Sequence, residues 1–308
     1  MAPPPGGSSR GFSTSSVRKW QYTFAQALNI AGPRFPKTSR RTQVAVIPGS
    51  PTMLQVLPVA LRLREPPRFQ LPDIRGMDNG VLDSYVAHVN ESNHQSTLLR
   101  EADVIQEAGK FFVDVAASLA PYYLARYGLN GRFDCVRENA FSGSAPDLVF
   151  RYNGRDILAL DYKGPNCINE NELLSCCATS VGEALEAIRG KKASKRQQSD
   201  PSLVSGVNQW TEGLLKQGLK YASNRRVSTV LFYDYDYLLA MRPPRGLDRG
   251  NNLMLMDVTI CPEYTKSTED GLVAHSDNHA IVLLRYLIMA AQECEEKSAG
   301  SSSRSKKK

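Results

Sequence analysis

The feature that most constrains the fold is residues 144–165, SAPDLVFRYNGRDILALDYKGP. Two apolar-rich runs, 148–152 and 156–162, are separated by Asn153-Gly154. Asn-Gly between strand-forming runs is a strong signal for a tight β-turn, because both residues accept the positive φ that such a turn requires. The segment therefore predicts a β-hairpin.

Charged residues stand near both ends of this hairpin. Asp147 precedes the first run, and Asp161 and Lys163 close the second. Alternate residues of a strand share a face, so Asp161 and Lys163 point the same way. A two-residue turn that pairs Tyr152 with Arg155 leaves Asp147 on the opposite face from Asp161. A three-residue loop or a β-bulge reverses that parity. A shared site therefore predicts an odd-length loop or a bulge.

Two carboxylates and a lysine on one face suit phosphodiester hydrolysis. Mg²⁺ prefers oxygen ligands and is commonly held by one or two carboxylates together with substrate phosphate and water. The metal activates water and stabilises charge in the transition state. A neighbouring lysine can orient or deprotonate that water, or stabilise the phosphate. The hairpin thus predicts a divalent-metal site.

The elements around the hairpin indicate an α/β domain. An apolar stripe at spacings of three and four predicts a helix over 96–127. Alternation of helical and strand-like runs favours a mixed β-sheet flanked by helices. The other predicted elements are strands at 132–137, 227–233 and 253–260, and helices at 169–190, 204–222 and 280–296.

The hairpin resembles the PD-(D/E)XK nuclease superfamily, at Asp147, Asp161 and Lys163. The resemblance extends over about residues 96–260. It implies a restriction-endonuclease-like core in which the two aspartates bind Mg²⁺ or Mn²⁺ and the lysine assists the attacking water.

The resemblance also implies supporting residues on two helices. Many members add a glutamate from the first helix, and both Glu101 and Glu107 are candidates. Glu101 lies at the edge of the apolar stripe, so helical phase favours it as a third metal ligand. Glu138, at the end of a strand, is a further candidate. The family often carries a glutamine or a lysine on the helix after the motif, followed by a tyrosine. These correspond here to Gln217 and Tyr221 in QGLKY, with Lys216 next to them.

Charge divides the chain into parts. The first 64 residues hold nine lysines or arginines and no acidic residue, and residues 301–308, SSSRSKKK, hold four more. The stretch between them carries all 31 acidic residues, so the basic character belongs to the ends. We predict a disordered basic arm over 1–50, an N-terminal extension over 51–95, a nuclease-like domain over 96–297 and a basic tail over 298–308.

Address signals favour an intracellular protein. The six cysteines form no CxxC pair, and neither a secretory signal nor a membrane span is visible. KKASKR at 191–196 and the terminal SRSKKK favour the nucleus. The Arg/Ser-rich stretch RGFSTSS makes the mitochondrion the alternative.

Three functions remain open at this stage. The first is a Mg²⁺- or Mn²⁺-dependent nuclease acting on DNA or RNA, with a homodimer as a further expectation. The second is a nuclease-fold binding or effector module without catalysis. The third is a structural nucleic-acid-binding protein that uses the basic arm for salt-dependent affinity.

Overall fold

The structure is a computed structural model. It describes residues 59–72, 99–108, 112–138, 145–178, 182–183, 209–243, 254–262, 264–266, 272–274 and 279–305. The predicted arm over 1–50 and both KKASKR and RGFSTSS lie outside the described residues. The described chain contains no helix that is long and apolar enough to cross a membrane.

Eight strands form one mixed sheet, in the order β2-β3-β4-β6-β7-β8-β1-β5. Its members are β1 (Val59–Leu63), β2 (Phe133–Arg137), β3 (Leu148–Tyr152), β4 (Arg155–Tyr162), β5 (Cys177–Ala178), β6 (Val230–Tyr233), β7 (Tyr237–Arg242) and β8 (Met254–Pro262). A separate hairpin pairs β9 (Tyr264–Lys266) with β10 (Leu272–Ala274).

Both pairing directions occur in this sheet. Strands β2, β3 and β4 form an antiparallel meander, and β6 then lies parallel to β4. Strands β6, β7 and β8 are antiparallel, while β8, β1 and β5 are parallel. The prediction of a mixed α/β sheet is therefore confirmed.

Helices cover both faces of the sheet. The helices are α1 (Glu101–Ala108), α2 (Asp114–Arg126), α3 (Glu170–Cys176), α4 (Gln209–Arg225) and α5 (His279–Ser305). Helices α2 and α5 pack on one face around large buried side chains such as Tyr123, Phe150 and Tyr286. Helix α4 packs on the other face through residues such as Leu214 and Tyr221. Two apolar layers therefore enclose the sheet and hold its central strands.

Most described residues of the predicted helix over 96–127 are helical, and residues 109–111 lie outside the described residues. Helix α1 ends at Ala108, and α2 begins at Asp114. Helix α2 ends where Gly128 takes a left-handed φ of 74°, and Leu129 N–H donates to Leu124 C=O. This is the Schellman arrangement that glycine permits after a helix.

The predicted helix over 169–190 was wrong at Cys177 and Ala178, while residues 182–183 are helical and residues 179–181 and 184–190 lie outside the described residues. Helix α3 ends at Cys176, and Cys177 takes an extended conformation with φ −79° and ψ 136°. Cys177 and Ala178 then pair with β1. Strand pairing at this edge of the sheet thus replaces the helix that the local pattern predicted.

Besides β5, two further strands of the sheet were missed by the sequence pattern. Strand β1 comes from the predicted extension, so the sheet draws on residues outside the predicted 96–297 domain. Strand β7 was missed because a turn interrupts FYDYDYLLA. Buried Asp234 accepts hydrogen bonds from the backbone of Asp236 and Tyr237, which reverses the chain after β6.

Candidate active site

The hairpin predicted at Asn153-Gly154 is present, and its turn has the two-residue form. Tyr152 pairs with Arg155, and Asn153 and Gly154 have φ values of 51° and 73°. Both are in the left-handed region, as an Asn-Gly turn of this kind requires. By itself this turn would place Asp147 on the opposite face from Asp161.

A β-bulge corrects the parity. The register shifts between Phe150 and Arg151, so that Leu148 pairs with Leu160. Continuing this register by one residue sets Asp147 opposite Asp161, on the face that α4 covers. Of the two predicted alternatives, an odd-length loop or a bulge, the structure has the bulge, and it brings the two carboxylates to the same face.

The turn glycine offers a direct test of the hairpin. A Cβ at Gly154 would meet nothing within 4 Å, so substitution changes only backbone energy. We expect Gly154→Ala to destabilise the protein by about 1 kcal/mol, because alanine resists positive φ. Gly154→Asn should cost less, since asparagine tolerates this conformation. Equal costs in urea unfolding would contradict the assigned turn.

Asp161 and Lys163 form a buried ion pair at the end of β4. Their side chains are only 6% and 9% exposed, and Lys163 Nζ contacts Asp161 Oδ2. The ammonium also lies 5.6 Å from the centre of the Phe232 ring on β6, within the range of a cation–π contact. The two opposite charges are therefore held together away from water. Each stabilises the other, because a buried charge without a partner is costly.

Helix α4 contributes a hydrogen-bond chain to this pair. Tyr221 donates from its hydroxyl to Asp161 Oδ1 at 3.3 Å. Gln217 Nε2 in turn donates to the Tyr221 oxygen at 2.5 Å. Gln217 Oε1 is buried and accepts no hydrogen bond within the described chain. The predicted Gln217 thus reaches Asp161 through Tyr221, and it keeps one acceptor unused.

Asp147 is fixed by the backbone of the opposite strand. Its Oδ2 accepts a hydrogen bond from Tyr162 N–H at 2.7 Å. Burial raises the pKa of Asp147 to about 6, with the charges of Asp161 and Glu101 adding to the rise. Each of these negative neighbours raises the pKa of Asp147, because it disfavours a further negative charge close by.

Of the three glutamate candidates, Glu101 lies in the electrostatic field of the site. Burial raises the pKa of Glu101, and the charge of Lys163 lowers it in part. The Glu107 side chain lies outside the described residues. Glu138 is engaged elsewhere, because it forms ion pairs with Arg225 and Arg151.

The Glu138 ion pairs belong to a charge network on the same face of the sheet. Arg225 also lies 3.6 Å from Asp156, and Arg151 donates to Asp156 at 2.7 Å. Glu138 N–H donates to Asp147 C=O at 2.9 Å. The network therefore supports the backbone beside Asp147, and its charged side chains are already paired.

The ion pair with Asp161 favours the protonated, ammonium form of Lys163. Burial alone would lower the pKa of Lys163, but Asp161 and Glu101 more than offset that effect, so its pKa is raised. Burial raises the pKa of Asp161, and Lys163 and Tyr221 reduce that rise. At neutral pH Lys163 can therefore donate hydrogen bonds and carry positive charge.

The donor set fits a hard divalent cation. Asp147 keeps one carboxylate oxygen that makes no hydrogen bond in the described chain. Asp161 Oδ2 contacts Lys163 as an ion pair but accepts no hydrogen bond of regular geometry. Among the described residues, no three His, Cys, Asp or Glu side chains form a ready metal cage. Mg²⁺ does not require one, because substrate and water complete its octahedron.

Sequence reasoning missed the roles of Phe232 and Arg225. Phe232 meets Lys163 because β6 lies parallel to β4, with Asp161 in register with Phe232. Arg225 meets Glu138 across 87 residues. No local pattern in the sequence marks either contact.

The comparisons with known proteins returned nothing: no protein-family model, no curated protein and no solved structure matches this chain. The function of the chain is therefore inferred from the geometry of the site.

Proposed function

We propose that this chain is a metal-dependent nuclease that hydrolyses phosphodiester bonds of DNA or RNA. One observation carries the proposal, namely the bulged hairpin that brings Asp147, Asp161 and Lys163 to one face. The proposal is also supported by α1 and α2 preceding the meander of β2, β3 and β4, and by α4 leading into β6, which lies parallel to β4. This order is similar to the one expected for a restriction-endonuclease-like core, with α3 and β5 as additions before α4.

The carboxylates and the lysine would have separate roles in this reaction. Asp147 and Asp161, with Glu101 nearby, would hold Mg²⁺ or Mn²⁺, which supplies Lewis-acid activation of water and neutralises phosphate charge. Lys163, as an ammonium, would hold the attacking water or a phosphate oxygen by donation.

Helix α4 keeps the site in place. The Tyr221 hydroxyl orients the Asp161 carboxylate, and Gln217 orients that hydroxyl. The unused acceptor of Gln217 can receive a hydrogen bond from a water or a sugar hydroxyl. A site held by a helix and two strands in this way needs little reorganisation during the reaction.

The test is cleavage of labelled single- and double-stranded DNA and RNA, with Mg²⁺, with Mn²⁺ and with chelator. We expect metal-dependent cleavage that Asp147→Asn reduces by about 100-fold or more. Asp257→Asn is the matched control, because it makes the same substitution on β8 at an aspartate paired with Arg62. Its cleavage should match wild type at a temperature where both are folded by circular dichroism.

Failure of the proposal has a defined form. Absence of cleavage of all four substrates, together with absence of Mg²⁺ and Mn²⁺ binding by calorimetry, would reject it. Nucleic-acid binding that is then lost on deletion of residues 1–50, which leaves strand β1 in place, would establish the structural, arm-dependent alternative. Sedimentation with and without double-stranded DNA tests the expected homodimer.

A further inference from the structure

A second pocket lies at the other end of strand β4. It has a volume of about 500 Å³ and is bordered by the β3–β4 turn, the end of α4 and one face of α5. Asp156 lines it, while Asp161 belongs to the candidate active site. Asp156 and Asp161 are five residues apart along the extended strand, which corresponds to about 17 Å. The pocket is therefore distinct from the site proposed for catalysis.

The walls of this pocket combine apolar and basic groups. Ile157, Val227 and Ala290 are buried apolar residues along its lining. More than half of the lining residues are charged or polar, and the volume lies in the range of small-molecule sites. The apolar part can accept a ring or another flat organic group.

Three exposed cations stand around the pocket: Arg155, Arg226 and Lys297. None of them forms an ion pair with a carboxylate in the described part of the chain, and Arg155 donates to Ser298 Oγ at 2.6 Å. The acidic residue in the lining, Asp156, is already engaged by arginines. The pocket therefore presents unneutralised positive charge, which favours an anionic ligand.

Arg226 also occupies a strained backbone position. Its φ is 56°, and Val227 N–H donates to Ala222 C=O across it. This is the position after a helix where glycine is preferred, because an L side chain is disfavoured at positive φ. Arg226 lines the pocket despite this backbone strain, and strained positions cluster at binding sites.

We propose that this pocket binds a small organic phosphate of nucleotide size. The phosphate would be held by Arg155, Arg226 and Lys297, and guanidinium groups suit phosphate because they donate two parallel hydrogen bonds. The organic part would lie on the apolar lining. The concave shape and the volume favour a small molecule over a nucleic-acid strand.

Calorimetry in chelator tests the proposal on the full chain. The probes are adenosine 5′-monophosphate, adenosine, inorganic phosphate and a short single-stranded oligonucleotide. We expect the monophosphate to bind tighter than adenosine or phosphate alone. Arg226→Gly and Lys297→Gln should each weaken it about tenfold or more, while Arg126→Gln, at an exposed arginine on α2, should leave it unchanged.

The glycine variant separates binding from folding. Arg226→Gly should raise the melting temperature, because it relieves the positive φ, while it weakens monophosphate binding. Binding unaffected by both pocket substitutions would overturn the proposal. Absence of monophosphate binding at millimolar concentration would also overturn it, and so would binding of the oligonucleotide alone.

Discussion

Replacing Lys163 with methionine is expected to abolish cleavage and to lower the free energy of unfolding by about 3 kcal/mol in metal-free protein. Methionine retains much of the length of the lysine side chain but carries no charge. Asp161 would then be buried without its ion-pair partner, with its contact to Tyr221 as the remaining side-chain hydrogen bond.

The destabilisation should depend on pH. Burial already raises the pKa of Asp161, and Lys163 opposes that rise. Without Lys163 the Asp161 carboxyl binds a proton more readily, and a neutral carboxyl costs less to bury. The loss of stability in Lys163→Met should therefore be larger at pH 8 than at pH 5, as measured by urea unfolding.

A double variant separates the two roles of Lys163. Asp161→Asn together with Lys163→Met removes both charges, so most of the lost stability should return while cleavage stays absent. Single and double variants of equal stability would contradict the buried ion pair. Full cleavage by Lys163→Met would contradict the assigned role of the ammonium.

Replacing Asp147 with asparagine is expected to stabilise the metal-free protein at pH 8. Burial and the charges of Asp161 and Glu101 raise the pKa of Asp147 from 3.8 to about 6. A shift of about two units corresponds to roughly 3 kcal/mol, and solvent screening at this half-buried group reduces it to about 1 kcal/mol. Asparagine can still accept the Tyr162 N–H hydrogen bond through its side-chain oxygen.

The sign of this effect fixes its pH range. An acid whose pKa is raised by folding destabilises the folded state when it is ionised, and the penalty disappears when it is protonated. The gain from Asp147→Asn should therefore be complete above about pH 6. It should shrink as the pH falls below about 6 and vanish below about pH 3, where Asp147 is neutral in both folded and unfolded chains.

Asp257→Asn provides the contrast. Asp257 accepts two hydrogen bonds from Arg62, at 2.6 Å and 2.9 Å, so its loss should lower stability at pH 8. Thermal unfolding of the two variants in chelator should shift in opposite directions. Added Mg²⁺ should stabilise wild type and leave Asp147→Asn unchanged. Destabilisation of metal-free Asp147→Asn at pH 8 would show that Asp147 serves the fold instead.

Several features could be predicted from the sequence because they depend on residues near one another. Asn153-Gly154 determined the turn, since few residue pairs accept two positive φ values. Gly128 determined the end of α2, because glycine readily adopts the positive φ found there. The spacing of Asp161 and Lys163 placed them on one face, because side chains of a strand alternate with period two.

The sequence left open whether Asp147 could join that pair. For Asp147 to share a face with Asp161, the hairpin needed either an odd-length loop or a β-bulge, and no local pattern distinguished these two. The structure has the bulge, with the shift between Phe150 and Arg151. Its position follows from packing, because Phe150 and Leu158 both lie in the buried core against α2 and α5.

Tertiary structure alone decided the environment of the site. Phe232 reaches Lys163 through the parallel pairing of β4 and β6, and Tyr221 reaches Asp161 because α4 packs across the same face. Local patterns extend over a few residues, whereas these contacts join residues about 60 or more apart in the chain, and burial of the sheet between two helical layers determines them. The sequence by itself therefore determined which side chains could serve the site, and the packing of helix on sheet decided how they are paired.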